Sequence, residues 1–211
     1  MVFTFATHQR NIRMLSYRSL IAGLVLLTLI LGACKQEGTV VSEEVKVEGG
    51  DTTAQSLSLD FTEIELKDAT YLVFRQELSL QDVPGFLAIE ADSLNNKANR
   101  GGVKAAGPMT SLFYVWEPET GTADAAVALP VEKGTKLSPY VSITLPDGPA
   151  LALTMDGPYD RLSAFHYALS AELQTRGYKP VAPSIEEYIV GPLETRDAQE
   201  FKTRIIYPYT K

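Results

Sequence analysis

The chain has 211 residues, with 19 Lys and Arg against 26 Asp and Glu, a net charge of −7 and a single cysteine. That acidic balance argues against nucleic acid as a partner. One thiol leaves no internal disulfide and no cysteine-based metal site, so stability must come from a packed core.

Arg10, Arg13 and Arg18, with no acid among them, precede a nearly unbroken apolar run over residues 20–30, the n-region and h-region of a secretory leader. The run is shorter than the roughly 20 residues a permanent membrane helix needs, and it stops at Leu31-Gly32-Ala33-Cys34. This tetrapeptide resembles the lipobox of bacterial lipoproteins, in which small residues admit the backbone to the signal peptidase and the thiol takes the diacylglyceryl group. The expectation is a signal peptide over 1–33, removed to leave Cys34 carrying palmitate-type acyl chains that anchor the chain in the cell envelope. Lys35 stands where an aspartate would, in enteric bacteria, hold the protein at the inner membrane, which favours the outer membrane facing the periplasm. Met14 opens a more typical leader than Met1 does. Without the leader's three arginines the net charge becomes −10.

Residues 34–56 are polar, with Gly49-Gly50, several Ser and Thr, and Glu37, Glu43, Glu44 and Asp51. Such a stretch cannot bury enough apolar surface to fold and reads as a flexible tether. One domain over 57–211 follows, long enough for a single core.

Within it, Ile64-Glu65-Leu66 and residues 71–78 flank the polar Lys67-Asp68 as a bent strand or hairpin. Residues 82–99 predict a helix closed by Gly101-Gly102, and 112–117 with 123–131 predict two strands around a turn at 118–121. The order then recurs. Ile143-Thr144-Leu145 with Asp147 matches Ile64-Glu65-Leu66 with Asp68; residues 160–176 form the helix; and Gly177 answers Gly101. Ser184–Val190 answers 111–116, and Ile205-Ile206-Tyr207-Pro208 answers 126–130, with partners about 72 to 79 residues apart. The pattern predicts an α+β domain of two pseudo-symmetric βαββ modules. They form an antiparallel sheet with helices on one face and a central cleft at the seam.

Gly157-Pro158-Tyr159 opens the second helix and Gly177 closes it. Ile185-Glu186-Glu187-Tyr188-Ile189-Val190-Gly191-Pro192 and Thr203-Arg204-Ile205-Ile206-Tyr207-Pro208 come after. In this order the segments resemble the GyrI-like small-molecule-binding superfamily, which includes the effector-binding domains of AraC- and MerR-type regulators. The resemblance runs from Ser58 to the C-terminus and is specific in the second half. It implies a paired βαββ fold holding amphipathic or cationic ligands in a central cleft, with aromatic walls and a buried glutamate as counter-charge. Glu186 matches that glutamate. The regulators' helix-turn-helix has no counterpart here, and the leader directs the chain away from DNA, so no nucleic-acid partner is expected.

Residues two apart on a strand share a face, which groups Glu186 with Tyr188 and sets Ile185, Glu187 and Ile189 opposite. The same count on the related strand groups Leu112, Tyr114 and Trp116, and predicts Tyr114 and the only tryptophan across the seam from Glu186 as a box for a cation. A carboxylate among aromatic rings is costly unless a positive ligand compensates its desolvation. The plain alternative leaves Glu186 solvated and Tyr114 with Trp116 in an ordinary core. Tyr159, through the Gly-Pro-Tyr match, either reaches the cleft with its hydroxyl or fills a helix-start core position. His166 and Tyr167 read as ordinary mid-helix residues, and Arg161, Arg176 and Lys179 as a solvated face.

The segment beyond the leader holds one histidine and no thiol for metal binding, and no Gly-x-Ser-x-Gly or phosphate-cradling loop occurs; no metal or cofactor is expected. The first expectation is a lipid-anchored binding module that captures a small amphipathic or cationic molecule through Glu186, Tyr188, Tyr114, Trp116 and Tyr159. The alternatives are a hydrolase of a small reactive molecule, with Glu186 activating water beside Tyr114 or Tyr188, and a structural lipoprotein whose acidic surface meets an envelope protein.

Overall fold

The computed structural model describes residues 59–211; the leader, the lipobox with Cys34 and the tether lie outside the described residues. In chain order the elements are β1 (Thr62–Leu66), β2 (Ala69–Ser79), α1 (Val83–Arg100), β3 (Thr110–Glu117), β4 (Thr122–Val131), β5 (Val141–Leu145) and β6 (Gly148–Asp156). They continue with α2 (Leu162–Thr175), β7 (Lys179–Pro180), β8 (Ser184–Val190) and β9 (Lys202–Thr210). A 3-10 turn at Tyr159–Arg161 leads directly into α2, which therefore begins two residues later than its apolar pattern predicts.

Both helices form where their apolar residues recur at helical spacing. Phe165, Leu169 and Leu173 of α2 lie four apart and are buried; Leu94 and Ala98 do the same for α1. Each helix is stopped by a glycine in the left-handed region, Gly102 at φ 68° and Gly177 at φ 71°, a conformation that a side chain disfavours. Gly102, rather than Gly101, is thus the counterpart of Gly177.

All strand pairs are antiparallel, and eight strands follow the order β1-β6-β9-β8-β3-β4-β2-β5, with the short β7 against the end of β9. The order forces curvature. β1 stands at one end and β2 next to the other, yet only Lys67 and Asp68 join them, a span of roughly 10 Å. Pro146 and Asp147 impose the same constraint between β5 and β6. The sheet must curl until its ends meet, and where they meet Asp147 N donates to Asp68 Oδ1 at 3.1 Å. The inside of the curl holds Tyr71, Val73, Leu112, Ile185 and Ile206 with four alanines, Ala126, Ala128, Ala150 and Ala152, whose small side chains permit the tight radius.

The outer face carries the helices. α1 packs on β2 and β4, and α2 on β6, β9 and β7, so β3 and β8 lie between the two footprints. The predicted pseudo-twofold is written in the register: Ile64 pairs Ala150 as Ile143 pairs Tyr71, and Ser111 pairs Glu186 as Phe113 pairs Ser184. The axis passes the central Leu112–Ile185 pair. Among the described residues no helix is long and apolar enough to cross a membrane.

Candidate ligand-binding site

The seam between β3 and β8 places Glu186 at the centre of the helix-bearing face. Its backbone pairs Ser111 on one side and Ile205 on the other, and the residue is 5 % exposed. A carboxylate so placed must be hydrogen-bonded or neutralised, and both oxygens are engaged. His166 Nε2, reaching down from α2, lies 2.6 Å from Oε1, and Tyr188 Oη donates to Oε2 at 2.7 Å. The second layer is equally committed. Ser111 Oγ lies 2.9 Å from Tyr188 Oη, and Tyr207 Oη lies 3.0 Å from His166 Nδ1.

Burial, reinforced by the Glu186 carboxylate, pushes the Tyr188 hydroxyl well above its ordinary value. The same two causes push Tyr159 up to about 12. Tyr207 is raised chiefly by burial. All three phenols therefore remain protonated, and Tyr188 is the one that donates to the acid.

Rings line the seam. Phe113 meets His166 edge-on at 6.1 Å and Trp116 at 5.7 Å, while Tyr159 lies 5.6 Å from Tyr188 and 4.8 Å from Phe201. The hydroxyls of Tyr159 and Thr203 are buried without a protein hydrogen-bond partner. Gly191 lets Tyr159 approach, since a Cβ there would stand 3.2 Å from Tyr159 Oη and 3.2 Å from Tyr188 Cβ.

The five residues singled out from the sequence do not all converge. Glu186, Tyr188 and Tyr159 do. Trp116 lies on the same face, 52 % exposed at the rim. Tyr114 is on the opposite face, so the predicted box of Tyr114 and Trp116 around Glu186 is corrected. Two features explain it. The β3–β8 register pairs Ser111, not Leu112, with Glu186, so odd positions of β3 share the acid's face. A β-bulge between Phe113 and Val115 then shifts the alternation by one, returning Trp116 to that face beside Phe113. Tyr114 instead stacks under the guanidinium of Arg75, at 3.5 Å from the ring centroid, and Arg75 is held by Asp124.

The sequence pattern predicts an ordinary mid-helix residue at His166, yet it is the group that answers Glu186. The available signal was that the one histidine beyond the leader lies on the helix of the same half as Glu186. Glu186 lines neither of two surface hollows, of about 290 Å³ around Thr70, Pro130 and Lys133 and about 330 Å³ around Arg75, Tyr114 and Val141.

A family described as GyrI-like, a GyrI-like small molecule binding domain, matches residues 97–210. No curated protein matches the chain. Among solved structures, the EcmrR C-terminal domain superposes with a TM-score of 0.63 at 17% identity, covering 74% of this chain and 99% of that one. EcmrR in its complex with DNA gives 0.61 at 19% identity over 72% of this chain, which spans 58% of that protein. SAV2435, solved bound to tetraphenylphosphonium, gives 0.57 at 14% identity, covering 72% of this chain and 94% of that one.

Proposed function

Because the chain belongs to the GyrI-like small-molecule-binding domain family, we propose that it captures a small amphipathic organic cation at Glu186, in the seam between α1 and α2, as a lipid-anchored protein of the cell envelope. The observation that carries this reading is the buried carboxylate itself, 5 % exposed in a setting of Phe113, Trp116, Tyr159 and Tyr188. A cation that brings its own apolar surface gains the negative charge and the ring faces together, and neither is available to it in water. The tetraphenylphosphonium in SAV2435 is a ligand of that chemistry.

The test uses two probes of one shape. Tetraphenylphosphonium is expected to raise the melting temperature and to quench Trp116, while tetraphenylborate, equal in form and opposite in charge, does neither. Equal responses to both would show that the site selects shape alone and would end the cation reading.

The leader and lipobox support the envelope anchor, and the acidic charge supports the absence of a nucleic-acid partner. In growing cells a palmitate label is expected on the wild-type chain, and Cys34→Ala should lose both the label and the membrane fraction. A labelled Cys34→Ala protein would refute lipidation at that residue.

One further reading has an observation in its favour. An imidazole 2.6 Å from a buried carboxylate is also the geometry of a general base, which suits hydrolysis of a small reactive molecule.

A further inference from the structure

The carboxylate that would attract a cation already has a partner. Among the described residues His166 is the one group in ion-pair contact with Glu186, and its ring sits in the seam between Phe113 and Tyr207, edge-on to each at 6.1 and 5.8 Å. Its side chain is 22% exposed against 6% for the acid beneath it, so the imidazole lies between solvent and the carboxylate. We propose that His166 is the built-in occupant of the cation's place: protonated, it serves as the counter-ion of Glu186 in the empty site, and a bound cation takes over that role while the imidazole gives up its proton.

The proposal rests on the cation reading above and follows from three features. First, two positive charges beside one carboxylate repel each other. In a setting shielded from water that repulsion is weakly screened, so an imidazolium and a bound cation disfavour each other. Second, the imidazole can lose its proton without orphaning any group. In the charged state Nδ1–H donates to Tyr207 Oη and Nε2–H to Glu186. In the neutral state Nε2–H still donates to Glu186 and the Tyr207 hydroxyl turns to donate to Nδ1, which keeps every polar atom satisfied. Third, the other polar groups facing the pair stay neutral. Tyr188 from β8, Tyr207 from β9 and Tyr159 from the turn before α2 all have raised hydroxyl values and stay protonated. Phe113 from β3 carries no charge, and α1 places no ion-pairing group against Glu186 among the described residues.

The proton balance is one released per cation bound whenever the imidazole starts charged. Binding therefore favours the deprotonated protein, and affinity must rise with pH. A site built this way holds its cation in neutral surroundings and releases it in acid.

The experiment is a titration of the purified full chain with tetraphenylphosphonium across about pH 5 to 8, the window in which histidine changes charge. Affinity is expected to climb about tenfold per pH unit on the acid side and to level off above it. Calorimetry at the acid end, in buffers of differing ionisation heat, should count one proton released per ligand. His166→Gln keeps a donor to Glu186 but no titratable ring, so its affinity should be flat with pH and should release no proton. A flat wild-type profile overturns the proposal. So does an unchanged slope in His166→Gln, which would assign the proton to the carboxylate. If neither protein binds the probe at any pH, the cation reading itself fails, a result distinct from both.

Discussion

Glu186→Gln is expected to weaken tetraphenylphosphonium binding about a hundredfold or more at pH 8 while leaving the fold intact. Glutamine has nearly the shape of glutamate and still accepts from Tyr188 Oη, so the hydrogen-bonded seam survives. What is lost is the charge. Truncating one member of a buried charged pair costs about 2–5 kcal/mol, and a hundredfold in affinity is about 2.7 kcal/mol. Titration with the probe, read against an unchanged circular dichroism spectrum, decides the matter; affinity within threefold of wild type would remove Glu186 from the site. The same variant separates the two functional readings. A binding protein loses affinity, whereas a hydrolase using Glu186 as base keeps affinity and loses turnover.

The largest stability effects belong to the side chains that seat the helices. Leu169 of α2 and Leu94 of α1 are fully buried, the one packed with Leu151, Leu153 and Ile205, the other with Leu72, Val127 and Leu129. Truncating either to alanine removes the transfer energy of the lost atoms and leaves a cavity, for about 2–5 kcal/mol each. In a domain of this size each kcal/mol moves the melting temperature by about 2–4 °C, so each variant should melt roughly 10 °C lower. The two leucines lie in separate clusters on opposite sides of the seam, so the losses should add in the double variant. Thermal melts of the four proteins check this. Near-zero cost at Leu169 would mean that α2 does not depend on that contact, and would leave His166 without a fixed mount.

Much of the architecture was legible because it is local and repeated. Alternation marked Ile64-Glu65-Leu66 and Ser184–Val190 as strands, helical spacing marked Phe165, Leu169 and Leu173, and the recurrence of the same order after about 75 residues announced the pseudo-twofold. The buried glutamate was reached through resemblance, since nothing local distinguishes Glu186 from the partly buried Glu187 beside it. By itself the sequence determined two halves, two glycine-stopped helices and one acid two residues before a tyrosine, all properties of short-range spacing. The tertiary structure decided which side chains meet. The register of β3 against β8 fixes which residues face Glu186, yet it joins strands about 70 residues apart and leaves no mark in either. A one-residue bulge moved Trp116 to the acid's face and left Tyr114 on the other, because the side-chain period of a strand is two and any single insertion reverses it. The bond from His166 to Glu186 exists because α2 packs across β9 and β6 at one rotation about its axis, a consequence of how the whole leucine face seats, and no pattern of neighbours along the chain encodes it.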